Sequence, residues 1–237
     1  VNRAVFVFLG ELNDLLAPSQ RGQEIPLIFA EHQTVKHLIE SLGVPHVEVG
    51  ALTANGRVIG EAYRPRDGDR IEVHPAAGWE GDEPRFVLDN HLGRLAAYLR
   101  MLGFDSRYEN TYDDEELAAL AAEEERILLT RDRRLLMRKA VRSGYCLRSL
   151  VPQEQLHEVF RRFHLWKWSR PFGRCLRCNH PLEKVEKSAI LDRLEPKTKL
   201  YYQEFARCPA CERIYWQGSH YEHMQQLLQS LHPNERR

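Results

Sequence analysis

The sequence predicts a multi-domain α/β chain, and three observations predict it. Residues 1–78 run strand, strand, helix and then further short strands. Residues 85–166 alternate strand and helix, the order of a mostly parallel sheet with helices packed on it. Two C-x-x-C pairs stand in the last third, each able to place two thiolates on one metal ion.

In the first segment, "AVFVFLG" and "QEIPLIFA" read as strands and "TVKHLIESLG" as a helix. Thr34 is placed to cap that helix, Val35, Leu38, Ile39 and Leu42 form its apolar face, and Gly43 closes it. Asn55 and Gly56 between apolar flanks signal a hairpin. "YRPRDGDRIEVHP" adds a turn and a last strand. This order describes a ubiquitin-like β-grasp. With its "DGDRIEVHP" ending it resembles the ThiS/MoaD sulfur carriers. Their chemistry needs a free C-terminal Gly-Gly. Here the matching "HPAAGWEG" lacks that pair and the chain continues, so the expectation is a packing or binding module with a protein partner.

"AAGWEGDEP" reads as a linker. After it come the strand "RFVL", the helix "HLGRLAAYLRMLG", the strand "FDSRYE" and the helix "YDDEELAALAAEEE", whose acidic first turn suits the helix dipole. The strand "RILLT", the helix "RRLLMRKAVRSG", the strand "YCLRSL" and the helix "PQEQLHEVFRRF" complete the layer. Residues 167–237 hold the cysteine pairs and a final amphipathic helix near "YEHMQQLLQSL".

The net charge of zero conceals an uneven distribution. Residues 126–148 carry eight Lys and Arg against one acid, Asp132, a footprint suited to phosphate. No apolar run is long enough to span a bilayer and no signal peptide is visible, so a cytoplasmic location and no membrane partner are expected.

In a parallel sheet the loops after the strands share one crevice. Asp89 follows the first strand of this segment, Asp132 follows the third, and Asp113 and Asp114 open the helix between them. Gathered carboxylates repel one another unless neutralised, and Mg²⁺ or Mn²⁺ takes such oxygen ligands. A metal there can activate water for attack on a phosphodiester. Each acid also has a simpler role open to it: Asp113 or Asp114 is an expected helix cap, and Asp89 and Asp132 could each cap the helix that follows. Asp105 precedes its strand and should sit at the opposite end as a structural group. Arg131, Arg133 and Arg134 adjoin Asp132, and Arg94 and Arg100 lie on the helix after Asp89; all five are candidates for gripping a phosphate strand, and a solvated helix face is an equal reading for Arg94 and Arg100.

"FVLDNHLGRLAAYLRMLGFDSRY", "DDEELAALAAEEERILLTRDRRLL", "RCLRCN" and "CPACERIYWQGSHYEHM" together resemble the Mut-seven C-terminal family of PIN-like ribonucleases, over residues 85–231. The resemblance implies a PIN-like central domain at 85–166 with an attached zinc ribbon at 167–237, and metal-dependent RNA cleavage. The family's acids carry over to Asp89, Asp114 (with Asp113 beside it) and Asp132. PIN nucleases often carry a fourth acid shortly after the "T-x-D" stretch, whereas here Arg133, Arg134 and Leu135 follow. A non-catalytic RNA-binding adaptor is the alternative reading.

Cys175, Cys178, Cys208 and Cys211 supply four thiolates, a closed tetrahedral set for structural Zn²⁺ with no open position for catalysis. The 29 residues between the pairs call for an inserted hairpin. Basic residues there, such as Lys184 and Arg207, mix with aromatics, such as Trp166, Trp168 and Trp216. The cations suit a phosphate backbone and the rings suit unpaired bases, although several rings should also fill the small core. Cys146, outside both pairs, is expected as a buried apolar residue. No role for His220 follows from the residues.

Overall fold

Three sheets organise the computed structural model among its described residues, 2–218 with Leu227, Gln229 and Leu231. His220 and most of the helix expected near "YEHMQQLLQSL" lie outside them.

The first sheet holds β1 (Asn2–Phe8), β2 (Ile25–Phe29), β3 (Val49–Ala54), β4 (Arg57–Ile59) and β5 (Arg70–Pro75) in the order β2-β1-β5-β3-β4. β1 and β5 run parallel at its centre, and α1 (Val35–Ser41) completes a ubiquitin-like domain. Alternation along β1 buries Ala4, Phe6 and Phe8. Thr34 caps α1 by accepting the His37 N–H at 3.4 Å. Asn55 and Gly56 turn β3 into β4 with φ of +50° and +77°, as a two-residue primed turn requires.

The central sheet is parallel throughout: β6 (Phe86–Leu88), β7 (Ser106–Arg107), β8 (Ile127–Thr130) and β9 (Gly144–Cys146), in the order β7-β6-β8-β9. Both of its faces are buried, which is why the strands read as continuous apolar runs. Phe86, Leu88, Ile127, Leu129 and Tyr145 pack with α2 (Gly93–Met101) and α5 (Pro152–Phe163). Val87, Leu128 and Cys146 pack with α3 (Asp114–Glu123) and α4 (Arg133–Leu136), and this cluster continues into Leu12, Leu15 and Val44 of the ubiquitin-like domain.

The long helix expected from "RRLLMRKAVRSG" is one turn only, α4. Leu135, Leu136 and Val141 are all buried. In a continuous helix Val141 would sit about 240° round from Leu135 and could not share its core. The turn at Arg138, whose carbonyl accepts the Val141 N–H at 3.0 Å, brings it in. The linker also packs: Trp79 lies edge-on to Phe163 at 6.5 Å, and its indole donates to the Asp82 carbonyl at 2.7 Å.

One carboxylate fastens the first two domains. Glu48, only 1% exposed, accepts the Cys146 N–H at 2.6 Å and two guanidinium bonds from Arg148 at 2.8 and 3.0 Å. It thereby covers part of the edge of β9, which would otherwise offer an unpaired N–H.

The ribbon sheet comprises β10 (Glu183–Val185), β11 (Phe205–Arg207) and β12 (Ile214–Trp216), all antiparallel. The long gap between cysteine pairs holds a 3₁₀ segment (Lys187–Arg193) and α6 (Pro196–Tyr201) around a small core of Ile190, Leu194 and Phe205. Among the described residues no helix is long and apolar enough to cross a membrane.

Candidate active site and metal centre

The chain leaves β6 toward β7 on one side and continues through β8 to β9 on the other, so the sheet's switch point lies between β6 and β8. Asp89 and Asp132 follow the carboxyl ends of those two strands. The Thr130 hydroxyl joins them: it donates to Asp89 Oδ2 at 2.6 Å and accepts the Asp132 N–H at 2.9 Å. Thr130 is fully buried, Asp89 half-buried and Asp132 exposed, so the pair opens to solvent on a rigid base. Asp132 also caps α4, accepting the Arg134 N–H at 2.7 Å.

Asp113 and Asp114 stand at the amino end of α3. Asp113 caps it in a full capping box with Glu116, accepting from Glu115 and Glu116 at 2.8 and 2.9 Å. Asp114 pairs with Arg138 at 3.5 Å. Among the described residues, the only group of three or more potential ligands lying within 4.8 Å of one another is the cysteine set. The four aspartates are therefore not drawn into a ready cage: Asp89 and Asp132 are coupled, while Asp113 and Asp114 are held by their own helix and by α4's flank.

The five candidate arginines divide. Arg94, Arg131 and Arg134 are exposed. Arg100 is 5% exposed and its guanidinium is spent on carbonyls: Ser106 at 2.9 Å, Leu176 at 3.1 Å and Arg177 at 2.7 Å. It fastens the first cysteine turn to α2, so burial removes it from any RNA surface. Arg133 donates to the Leu15 carbonyl of the ubiquitin-like domain, and half-buried there it holds α4 rather than a phosphate strand. Asp105 accepts from Arg126 at 2.8 and 3.2 Å and from Asn179 at 2.7 Å, fixing the ribbon to the far end of the sheet. Burial works to raise its pKa, but Arg126 and Asn179 outweigh that and hold it below the usual carboxylate value.

Cys175, Cys178, Cys208 and Cys211 can hold a metal such as zinc. Their sulfurs approach in pairs, Cys175 to Cys211 at 3.5 Å and Cys178 to Cys208 at 3.4 Å. The donor chemistry fits a closed tetrathiolate centre. Burial raises the Cys175 pKa, but the Cys178 N–H, the Tyr215 hydroxyl and the Arg177 N–H together bring it to about 6. Burial pushes Cys178 to about 12, with the neighbouring sulfurs adding to the rise. Cys146 stays outside the set, buried in β9, where burial raises its pKa.

Three further groups position the two sites. Thr130 was visible only as the end of a strand. Tyr215 donates to Cys175 Sγ at 3.1 Å and accepts the Leu176 N–H at 3.2 Å, a second layer around the metal ligands. Tyr108 donates to the Asn90 carbonyl at 2.8 Å, and a Cβ at Gly93 would stand 2.8 Å from its hydroxyl, so glycine lets the ring brace the turn after Asp89. The "T-x-D" and "YWQG" stretches were available signals for the first two.

Residues 84–228 match the family profile described as the Mut7-C RNAse domain, and residues 1–78 match the one described as Mut7-C ubiquitin. A solved structure titled "Putative molybdopterin converting factor, subunit 1 from Pyrococcus furiosus" is 18% identical, covering 32% of this chain and 100% of its own, with a TM-score of 0.26. No curated protein matches.

Proposed function

The chain belongs to the Mut7-C RNAse domain family, and from that premise we propose that it is a metal-dependent ribonuclease acting at the Asp89–Thr130–Asp132 crevice. The observation that carries the proposal is the pair of acids at the sheet's switch point, joined by one buried hydroxyl. Asp89 and Asp132 would hold Mg²⁺ or Mn²⁺, with Asp114 the candidate third acid. When bound, such a metal neutralises the carboxylates and lowers the pKa of a coordinated water. Thr130 orients both acids before substrate arrives. Arg131 and Arg134, exposed beside Asp132, would bind the phosphate strand and balance charge developing at phosphorus. Zinc in the cysteine centre would hold the ribbon as an RNA-binding surface, with exposed Trp166, Tyr201 and Trp216 as stacking groups.

The carboxylates' failure to converge supports a second reading, a non-catalytic RNA-binding adaptor. The test is cleavage of labelled RNA by zinc-loaded protein under Mn²⁺ and Mg²⁺ titration, with Asp132→Asn and Asp89→Asn in parallel. Metal-dependent cleavage lost in both variants is the expected result. Binding without cleavage favours the adaptor, and equal cleavage by parent and variants overturns the acid assignment.

A further inference from the structure

A cavity of about 290 Å³ lies at the seam of the first two domains, away from the acid crevice. Its wall includes residues 76–78, Trp79, Glu61, Ser143 and two arginines, Arg142 and Arg162. We propose that this cavity is a binding site for a phosphate monoester, with Arg142 and Arg162 as its cationic groups.

Arg162 carries most of the argument. Its side chain is 8% exposed, yet it is poorly compensated. One N–H donates to the Ala77 carbonyl and the guanidinium lies 5.3 Å over the Phe163 ring, but its Nε has no hydrogen-bond partner and the carboxylate paired with it, Glu11, is 3.9 Å away. A buried charge is costly unless paired and hydrogen-bonded, so the site is short of an anion. Arg142 is exposed and makes no ion pair among the described residues. The cavity's own carboxylate, Glu61, is already paired with Lys36 at 3.4 Å. His46, also in the wall, is committed to Glu40 at 2.8 Å and the Val141 carbonyl at 3.0 Å. The balance left facing the cavity is cationic.

A neighbouring cavity of about 370 Å³ shares Trp79, Arg142 and Ser143 but sets three acids, Asp82, Glu83 and Glu125, beside two further arginines, Arg85 and Arg126, and Arg126 is already paired with Asp105 and Glu124. The first cavity sits at the small end of ligand pockets, whose volumes begin at about 300 Å³, so it suits one small phosphate-bearing group. That group could be a free metabolite or the terminal phosphate of an RNA. The chemistry recognised is the same.

The experiment is calorimetric titration of the full, zinc-loaded chain with inorganic phosphate and with a nucleoside 5′-monophosphate. With no Mg²⁺ or Mn²⁺ added, one site is expected, weakened about tenfold in Arg142→Ala and abolished in Arg162→Gln. Should buried Arg162→Gln fail to fold, the exposed Arg142→Ala decides alone. Absence of binding at millimolar ligand overturns the proposal, as does binding indifferent to Arg142→Ala. A 5′-phosphorylated oligonucleotide that displaces the monophosphate assigns the site to RNA ends, and one that does not assigns it to a free molecule. Because the titration contains no Mg²⁺ or Mn²⁺, the nuclease reading can fail without touching this one.

Discussion

Glu48→Leu should destabilise the whole of the first two domains. Its carboxylate accepts three hydrogen bonds at once, from the Cys146 N–H at 2.6 Å and from Arg148 at 2.8 and 3.0 Å. Removing it orphans a buried N–H and leaves Arg148, 19% exposed at its side chain, without its counter-ion. Breaking one side of a buried pair costs about 3–5 kcal/mol. For a chain of this size each kcal/mol moves Tm by about 2–4 °C, so a fall of about 6–20 °C is expected. The assay is chemical and thermal denaturation of parent, Glu48→Leu, Arg148→Met and the double variant. The double variant should recover much of the loss, since an apolar pair leaves no charge unmet. The shared cluster running from Leu12 and Val44 to Leu136 and Cys146 predicts that both domains melt in one transition. A single variant within about 1 kcal/mol of the parent, or two separate transitions with only the first shifted, would refute the clasp.

Three further outcomes are expected. Asp105 has its pKa lowered on folding, so its contribution is full above its unfolded pKa and is lost as pH falls through the folded value; Asp105→Asn should lower stability at neutral pH and flatten the acid limb below about pH 4 in urea titrations. Tyr215→Phe removes a hydroxyl from Cys175 and should weaken metal binding about 10–100-fold in chelator competition, while leaving the tetrathiolate absorption of a cobalt-substituted sample in place. Thr130→Val unties Asp89 from Asp132 and should reduce kcat of the proposed metal-dependent cleavage about 10–100-fold with little change in KM; an unchanged kcat would deny Thr130 its positioning role.

Most of the fold was legible because its signals are local. Alternation marked β1, the Asn55 and Gly56 pair marked the hairpin, and Thr34 and Asp113 marked helix starts through bonds spanning two or three residues. The four cysteines were legible for a related reason, since two close pairs already carry half a metal site each. The length of α4 was not local: burying Val141 beside Leu135 outweighed helix continuity.

By itself the sequence determined the architecture, the family and the thiolate set. Tertiary structure alone decided the fate of the charged residues. Arg100 and Arg133 both read as surface cations in the chain, yet the first is buried against the cysteine turn and the second reaches Leu15 of another domain. Glu48 and Arg148 are a hundred residues apart and form one buried pair. An arginine's partner is fixed by which carbonyl or carboxylate the packed domains bring within about 3 Å, and no spacing in the chain encodes that distance.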